Sequence, residues 1–235
     1  LCTGENHPVD LNRFDYCLTH ERREDDRFHR FPYWQAYCLD QPEFQEMLLA
    51  PRKITEEELV AENRDFCAFV CRKVNCGGSF MHNIDYKLEK TYQAKQEFQN
   101  RHYFSMAYEN ESSPGYQTEK IIDAFLSNSI PIYWGNVYVE EEFNPKAFVN
   151  AHAFRSRKAL VNHILELAES PKDMAEMLSQ PVLQDEKAFE KAHAELLDFF
   201  TRIFERGPGA IQRTPLQRVL GLASRYYGHG LFRTI

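Results

Sequence analysis

The sequence lacks the signatures of the commoner enzyme classes. It contains no GxSxG, no HExxH, no Walker phosphate loop and no GxGxxG. No apolar run approaches the roughly 18 residues that a membrane-spanning helix needs. Glycine (10) and proline (11) are too scarce in 235 residues for a collagenous or low-complexity chain. No CxxC pair occurs. The tightest cysteine group, Cys67, Cys71 and Cys76, has poor zinc spacing, and all six cysteines fall in the first third. Reduced structural thiols are the preferred reading, with disulfides and a metal site as the alternatives. Basic residues are outnumbered 28 to 35, for a net charge of −7. That balance argues against a general nucleic-acid binder and leaves room for a local basic pocket.

What is present divides in two. Residues 1–62 are rich in aromatics and charge and poor in strands. Asp15 to Leu18 reads as a short strand and Glu21 to Arg30 as a solvated loop. Within that loop Glu24, Asp25 and Asp26 have Arg22, Arg23 and Arg27 beside them, so neutralisation is preferred over a metal site. Phe44 to Leu49 reads as a helical turn or two. Thr55 with Glu58 three residues on is a capping box. The region has too few strands to cover its own apolar residues, so it is expected to be the remnant of a larger domain.

Alternation begins at Asp65. Phe66 to Val70 reads as a buried parallel strand and Tyr103 to Tyr108 as another. Thr118 is expected to cap a helix running to Asn128, and Ile130 to Trp134 is the next strand. Leu160, Ile164, Leu167 and Ala168 share a helical face. Ser170, Pro171 and Asp173 mark a strong helix start. A last helix is expected from about Glu186 to Arg206. The pattern is α/β with a parallel sheet. One step fails: Cys71, Arg72 and Lys73 are too few to carry a parallel crossover from Val70 to a strand at Val74. Either the two strands form a hairpin with poor turn residues, or the chain is interrupted between Val70 and Cys71.

Residues 209–235 contain Arg213, Arg218, Arg225 and Arg233 and no acid, interleaved with Leu216, Val219, Leu220, Tyr226 and Tyr227. Packing back on the protein is preferred here. Contact with anionic lipid is the alternative.

The candidate chemistry lies around Tyr108-Glu109-Asn110 and the helix start Thr118-Glu119-Lys120. Ligands of open α/β sheets bind beyond the carboxyl ends of strands, and a helix N-terminus offers N–H groups to an anion. Lys120 suits a phosphate and Glu119 suits sugar hydroxyls. By composition alone both are as readily surface residues. Asn110-Glu111-Ser112 is formally a glycosylation sequon, for which chance is the better explanation. Glu5, between Gly4 and Asn6, reads by composition as a solvated glutamate.

Longer motifs carry a resemblance. Phe104 to Asn110, Gly115 to Ala124, Ile130 to Gly135 and Phe143 to Asn150 are similar to the donor-binding motif of the bacterial α-1,3-fucosyltransferases. Thr3-Gly4-Glu5-Asn6, Phe14-Asp15-Tyr16, Arg30-Phe31-Pro32 and Val74 to Phe80 also resemble that family, so the likeness covers about residues 1–155. It implies a GT-B architecture of two Rossmann-like domains, the N-terminal one incomplete. Residues 1–62 would be the remnant of the acceptor-binding domain, and residues 63–235 the GDP-fucose-binding domain with C-terminal helices. It implies inverting, metal-independent transfer of L-fucose from GDP-fucose to the 3-hydroxyl of GlcNAc or Glc in a β-galactoside glycan. The acceptor would be of the N-acetyllactosamine type, and no resident cofactor is implied. Glu5 falls on the general base, and Asn110, Tyr116, Glu119 and Lys120 fall on donor-binding positions. The family also carries a helical segment with a diphosphate-facing arginine before its Gly-Gly loop, which this chain lacks. The expected setting is cytoplasmic, with peripheral contact at the inner membrane through the basic C-terminal segment as the alternative to its packing on the protein.

Overall fold

The computed structural model describes residues 9, 11, 14–39, 41–62, 64–69, 89 and 91–206. Among the described residues four strands form the main sheet: β3 (Asp65–Phe69), β4 (His102–Tyr108), β5 (Ile130–Trp134) and β6 (Val149–Asn150). They lie side by side in chain order and all pairs are parallel. The β4–β5 register sets Tyr108 opposite Trp134, so both strands end at the same edge. Pro131 sits at the second position of β5, which its position at the start of the strand allows.

Period-two alternation sorts side chains between two layers. On one face Ala107 and Tyr133 meet α5 (Glu119–Leu126), α1 (Tyr33–Leu39) and α2 (Pro42–Leu49) through Trp34, Cys38, Phe44, Leu48, Ile122 and Phe125. On the other, Phe104, Ile130 and Ile132 meet α3 (Glu56–Ala61), α6 (Arg157–Ala168) and α7 (Pro171–Leu178) through Leu59, Leu160, Ile164, Met174 and Leu178. Two covered faces are what an all-parallel sheet requires. The crossover into β4 is α4 (Tyr92–Asn100), capped by the Thr91 hydroxyl. The final helix, α8 (Ala188–Arg206), buries Phe189, Ala192, Leu196 and Phe199.

Local chemistry accounts for most boundaries. Thr55 and Glu58 make the reciprocal capping box that starts α3. The Ser170 hydroxyl accepts from the Asp173 N–H, with Pro171 at the first position of α7.

Several expectations need correction. The charged run Glu21 to Arg30 is not all loop: Phe28–Arg30 is a strand, β2, parallel to β1 (Cys17–Thr19). Phe28 is buried there with Cys17 and Val9, and that apolar contact selects a strand which the surrounding charges conceal. The expected neutralisation of Asp25 does hold, since its carboxylate accepts from the Arg27 N–H at 2.9 Å and from its guanidinium at 3.3 Å. β3 is parallel as expected, yet Phe66 is 47% exposed because it lies at an edge of the described sheet. Thr118 stands at the start of α5, but its side chain does not cap it. The helix also stops at Leu126, and Asn128 takes a left-handed φ of 52°. Cys17, Cys38 and Cys67 are free thiols. Burial pushes Cys38 up to about 12 and Cys67 to about 11, so both stay protonated and unreactive at neutral pH. The expected strand at Val74, the junction at Val70–Cys71 and residues 209–235 lie outside the described residues.

Candidate active site

The site begins where β4 stops. The Glu109 N–H still donates to the Trp134 carbonyl, at 2.8 Å, so Glu109 continues the strand by one residue. Alternation turns its side chain toward α5, and only 4% of the residue is exposed. One carboxylate oxygen accepts from the Thr118 N–H and the other from the Thr118 hydroxyl, both at 2.7 Å. The second oxygen also lies 3.4 Å from the Lys120 ammonium. Burial pushes the Glu109 pKa up, against the pull of Thr118 and Lys120.

A carboxylate can be held this close because residue 135 is glycine. A Cβ at Gly135 would come within 2.4 Å of the Glu109 Cγ and 2.7 Å of the Tyr133 hydroxyl oxygen. The Gly135 carbonyl accepts from the Ser112 hydroxyl at 2.7 Å, and His152 Nε2 lies 3.2 Å from the Gly135 nitrogen.

Thr118 turns its hydroxyl to donate to Glu109, and in that orientation its oxygen accepts no N–H from α5, which has no side-chain cap at its N-terminus. The first N–H groups of that helix are therefore not satisfied by the usual device. Beside them stands Lys120, whose ammonium donates to Asn110 Oδ1 at 3.1 Å. Its side chain is only 11% exposed. Glu119 is half-buried on the same first turn.

The loop between β4 and α5 is held from several sides. Gly115 has a φ of +84°, and a Cβ there would fall 2.3 Å from the His20 carbonyl oxygen. Its N–H donates to Asn136 Oδ1 at 2.8 Å, and Asn136 Nδ2 donates to Gln117 at 2.6 Å. Tyr116 is buried, with its ring edge-on to His20 at 5.2 Å. From the N-terminal region Arg30 ion-pairs with Glu142, whose other oxygen accepts from Trp34 Nε1 at 2.8 Å.

A second polar cluster lies one turn along α5. Asp123 is fully buried, ion-paired with Lys95 of α4, and accepts from the Tyr37 hydroxyl of α1 at 3.0 Å. Burial pushes its pKa up to about 6, and the charge of Glu119 adds to the rise.

Asn110, Glu119 and Lys120 thus come together at the strand end, and Tyr116 lies buried in the loop beside them. Glu5 lies outside the described residues. Sequence reasoning placed Glu109 at the strand end but gave it no role, and it gave none to Gly135 or Asn136. A carboxylate immediately beyond a strand and a glycine immediately beyond its neighbour were the available signals. Among the described residues no group of three or more His, Cys, Asp or Glu is placed to hold a metal ion.

A parallel α/β sheet with an open helix terminus, a lysine and polar side chains at the carboxyl edge defines a class of anion-binding α/β proteins. The likeness to known proteins is more specific: residues 70–179 match the model described as glycosyltransferase family 10 (fucosyltransferase), C-terminal. The α-1,3-fucosyltransferase FucT of Helicobacter pylori is 29% identical over 252 aligned residues, covering 86% of this chain and 52% of that protein. The chain therefore spans about half the length of that relative. A crystal structure of an α1,3-fucosyltransferase with GDP-fucose has a TM-score of 0.70 and 26% identity, covering 91% of this chain and 76% of that one. A crystal structure of an α1,3-fucosyltransferase with GDP has a TM-score of 0.71 at the same identity and the same two coverages. The α/β, GT-B type fold and the resemblance to the α-1,3-fucosyltransferases, both read from the motifs, stand.

Proposed function

We propose that the chain is the donor-binding part of an α-1,3-fucosyltransferase. It transfers L-fucose from GDP-fucose, with inversion, to the 3-hydroxyl of GlcNAc or Glc in an N-acetyllactosamine-type glycan. The observation that carries this reading is the uncapped N-terminus of α5 beside Lys120 and Asn110. Such a corner meets a diphosphate with N–H groups and one ammonium. The relatives crystallised with GDP-fucose and with GDP support the choice of nucleotide.

In this reading Lys120 and the α5 N–H groups stabilise charge developing on the leaving diphosphate. Asn110 aims the ammonium, Glu119 accepts from ribose or fucose hydroxyls, and Tyr116 fixes the loop against the donor. Glu5 takes the acceptor proton as general base. Residues 63–235 form the donor half, and residues 1–62 belong to the acceptor half. No metal takes part, so transfer persists in EDTA. The setting is cytoplasmic, with contact between the basic segment 209–235 and anionic lipid as the alternative to its packing on the protein. Among the described residues no helix is long and apolar enough to cross a membrane.

The test is incubation with GDP-fucose and N-acetyllactosamine, with the linkage of the product read by NMR. An α-1,3-fucosylated product is expected. Binding of GDP without any product would reduce the chain to a nucleotide-binding module.

A further inference from the structure

We infer that Glu109 is the positioning residue of the site: it holds Lys120, and keeps Thr118 off the helix cap, so that α5 presents an anion-binding end. The inference rests on the donor reading above and adds a residue to it. Three observations converge.

The first is placement. Glu109 is buried at the carboxyl end of β4, tied to β5 by its own N–H and to α5 by its side chain. A buried carboxylate needs donors around it, and here Thr118 supplies two and Lys120 an opposing charge. The second is a diverted cap. Threonine at the residue before a helix ordinarily accepts an N–H from the helix's first turn. In this chain the hydroxyl of Thr118 instead donates to Glu109 Oε2, and α5 goes uncapped. The third is room. Gly135 lies so close to the Glu109 Cβ and Cγ that a methyl group at residue 135 would meet both, so the neighbouring strand end accommodates this side chain in this position.

Glu109 has no unshared path to a ligand. Its oxygens are taken by Thr118 and Lys120, and it touches a donor only through them. It is therefore not a catalytic residue. Its charge balances Lys120, and its geometry fixes where the ammonium stands toward a diphosphate.

Electrostatics alone predicts the opposite sign from positioning, which makes the inference testable. If Glu109 were merely a nearby negative charge, Glu109→Gln would tighten anion binding. If it positions Lys120, Glu109→Gln weakens binding, although the glutamine oxygen still accepts from Thr118 and the side-chain volume is kept. The experiment is a double-mutant cycle of Glu109→Gln and Lys120→Ala. GDP and inorganic pyrophosphate are the calorimetric probes, and thermal unfolding is followed in parallel. The expected loss for Glu109→Gln alone is about tenfold or more, the scale of one hydrogen bond to a charged group. In the Lys120→Ala background the same change should cost almost nothing. Tighter binding by Glu109→Gln, or equal losses in both backgrounds, overturns the inference. So does unchanged affinity in a folded Glu109→Gln protein. A wild-type chain that binds pyrophosphate and not GDP overturns the donor reading, and the pyrophosphate cycle still decides the role of Glu109. Binding of neither probe overturns both.

Discussion

Replacing Gly135 with alanine should damage stability and anion binding together, because one added methyl group meets three pinned atoms. Its Cβ would lie 2.4 Å from the Glu109 Cγ, 2.9 Å from the Glu109 Cβ and 2.7 Å from the Tyr133 hydroxyl oxygen. None of the three can retreat cheaply. Glu109 is fixed by its N–H on the Trp134 carbonyl and by Thr118 on both carboxylate oxygens. The Tyr133 hydroxyl accepts the Asn136 N–H at 3.0 Å. Two outcomes are open to the chain. The backbone at residue 135 shifts, which for an overpacked site costs about 1–3 kcal/mol. Otherwise Glu109 swings away and forfeits a hydrogen bond to a charged group, worth about 1.5–3 kcal/mol. Either way the expected loss is about 1–3 kcal/mol, or roughly 2–12 °C in Tm for a chain of this size. Urea or thermal unfolding measures it, and calorimetry with GDP measures the accompanying loss of affinity. The double variant Gly135→Ala with Glu109→Ala should be less destabilised than the two single losses combined, since the Cγ obstacle is then gone. A Gly135→Ala protein with wild-type Tm and wild-type GDP affinity would refute this packing argument.

Three further outcomes follow from the same geometry and family resemblance. Lys120→Ala should weaken GDP binding by about 1.5–3 kcal/mol, read by calorimetry, and an unchanged affinity would make Lys120 an ordinary helix-surface lysine. Glu5→Gln should keep GDP-fucose affinity and lower kcat by roughly 10²–10⁴, with near-normal turnover removing Glu5 from the mechanism. The Asp123 carboxyl is raised to about 6 in the fold, so the native state holds its proton more tightly than the unfolded chain and stability falls as pH rises from about 4 to 6. The loss is at most about 3 kcal/mol, and Asp123→Asn should flatten that part of the stability profile measured by urea titration.

Patterns written in residue order were legible from the sequence. The Ile130–Trp134 strand, the Thr55 capping box and the Ser170-Pro171 helix start each depend on neighbours a few positions apart, and each stands where it was expected. β2 was hidden because its evidence is not local: Phe28 is apolar, but only its burial against Cys17 and Val9 makes a strand of a charged run. The site divides in the same way. Asn110 and Lys120 were singled out from a strand end and a helix start, and their side chains are hydrogen-bonded to each other. The role of Glu109 escaped because its neighbours do not explain it. Its role depends on Gly135, 26 positions away, and on a threonine whose hydroxyl turns from its own helix. The capping expectation for Thr118 failed for the same reason: its hydroxyl is oriented to donate to a buried carboxylate, which needs the donor, and so oriented its oxygen accepts no N–H of the helix.

That competition also bears on how a chain with a net charge of −7 could attract a diphosphate. Its acids are largely committed where they approach the site. Glu109 is paired with Lys120, Asp123 with Lys95 and Glu142 with Arg30, which leaves Glu119 on the first turn of α5 as an acid with no ion pair among the described residues. What remains for an anion is backbone N–H groups at the start of α5 and an ammonium that already has its carboxylate. Such groups bind through geometry more than through net charge, and the helix-terminus contribution is confined to the first turn. Affinity for a diphosphate should therefore depend only weakly on bulk ionic strength and strongly on the position of Lys120. A site built on exposed lysines would show the reverse.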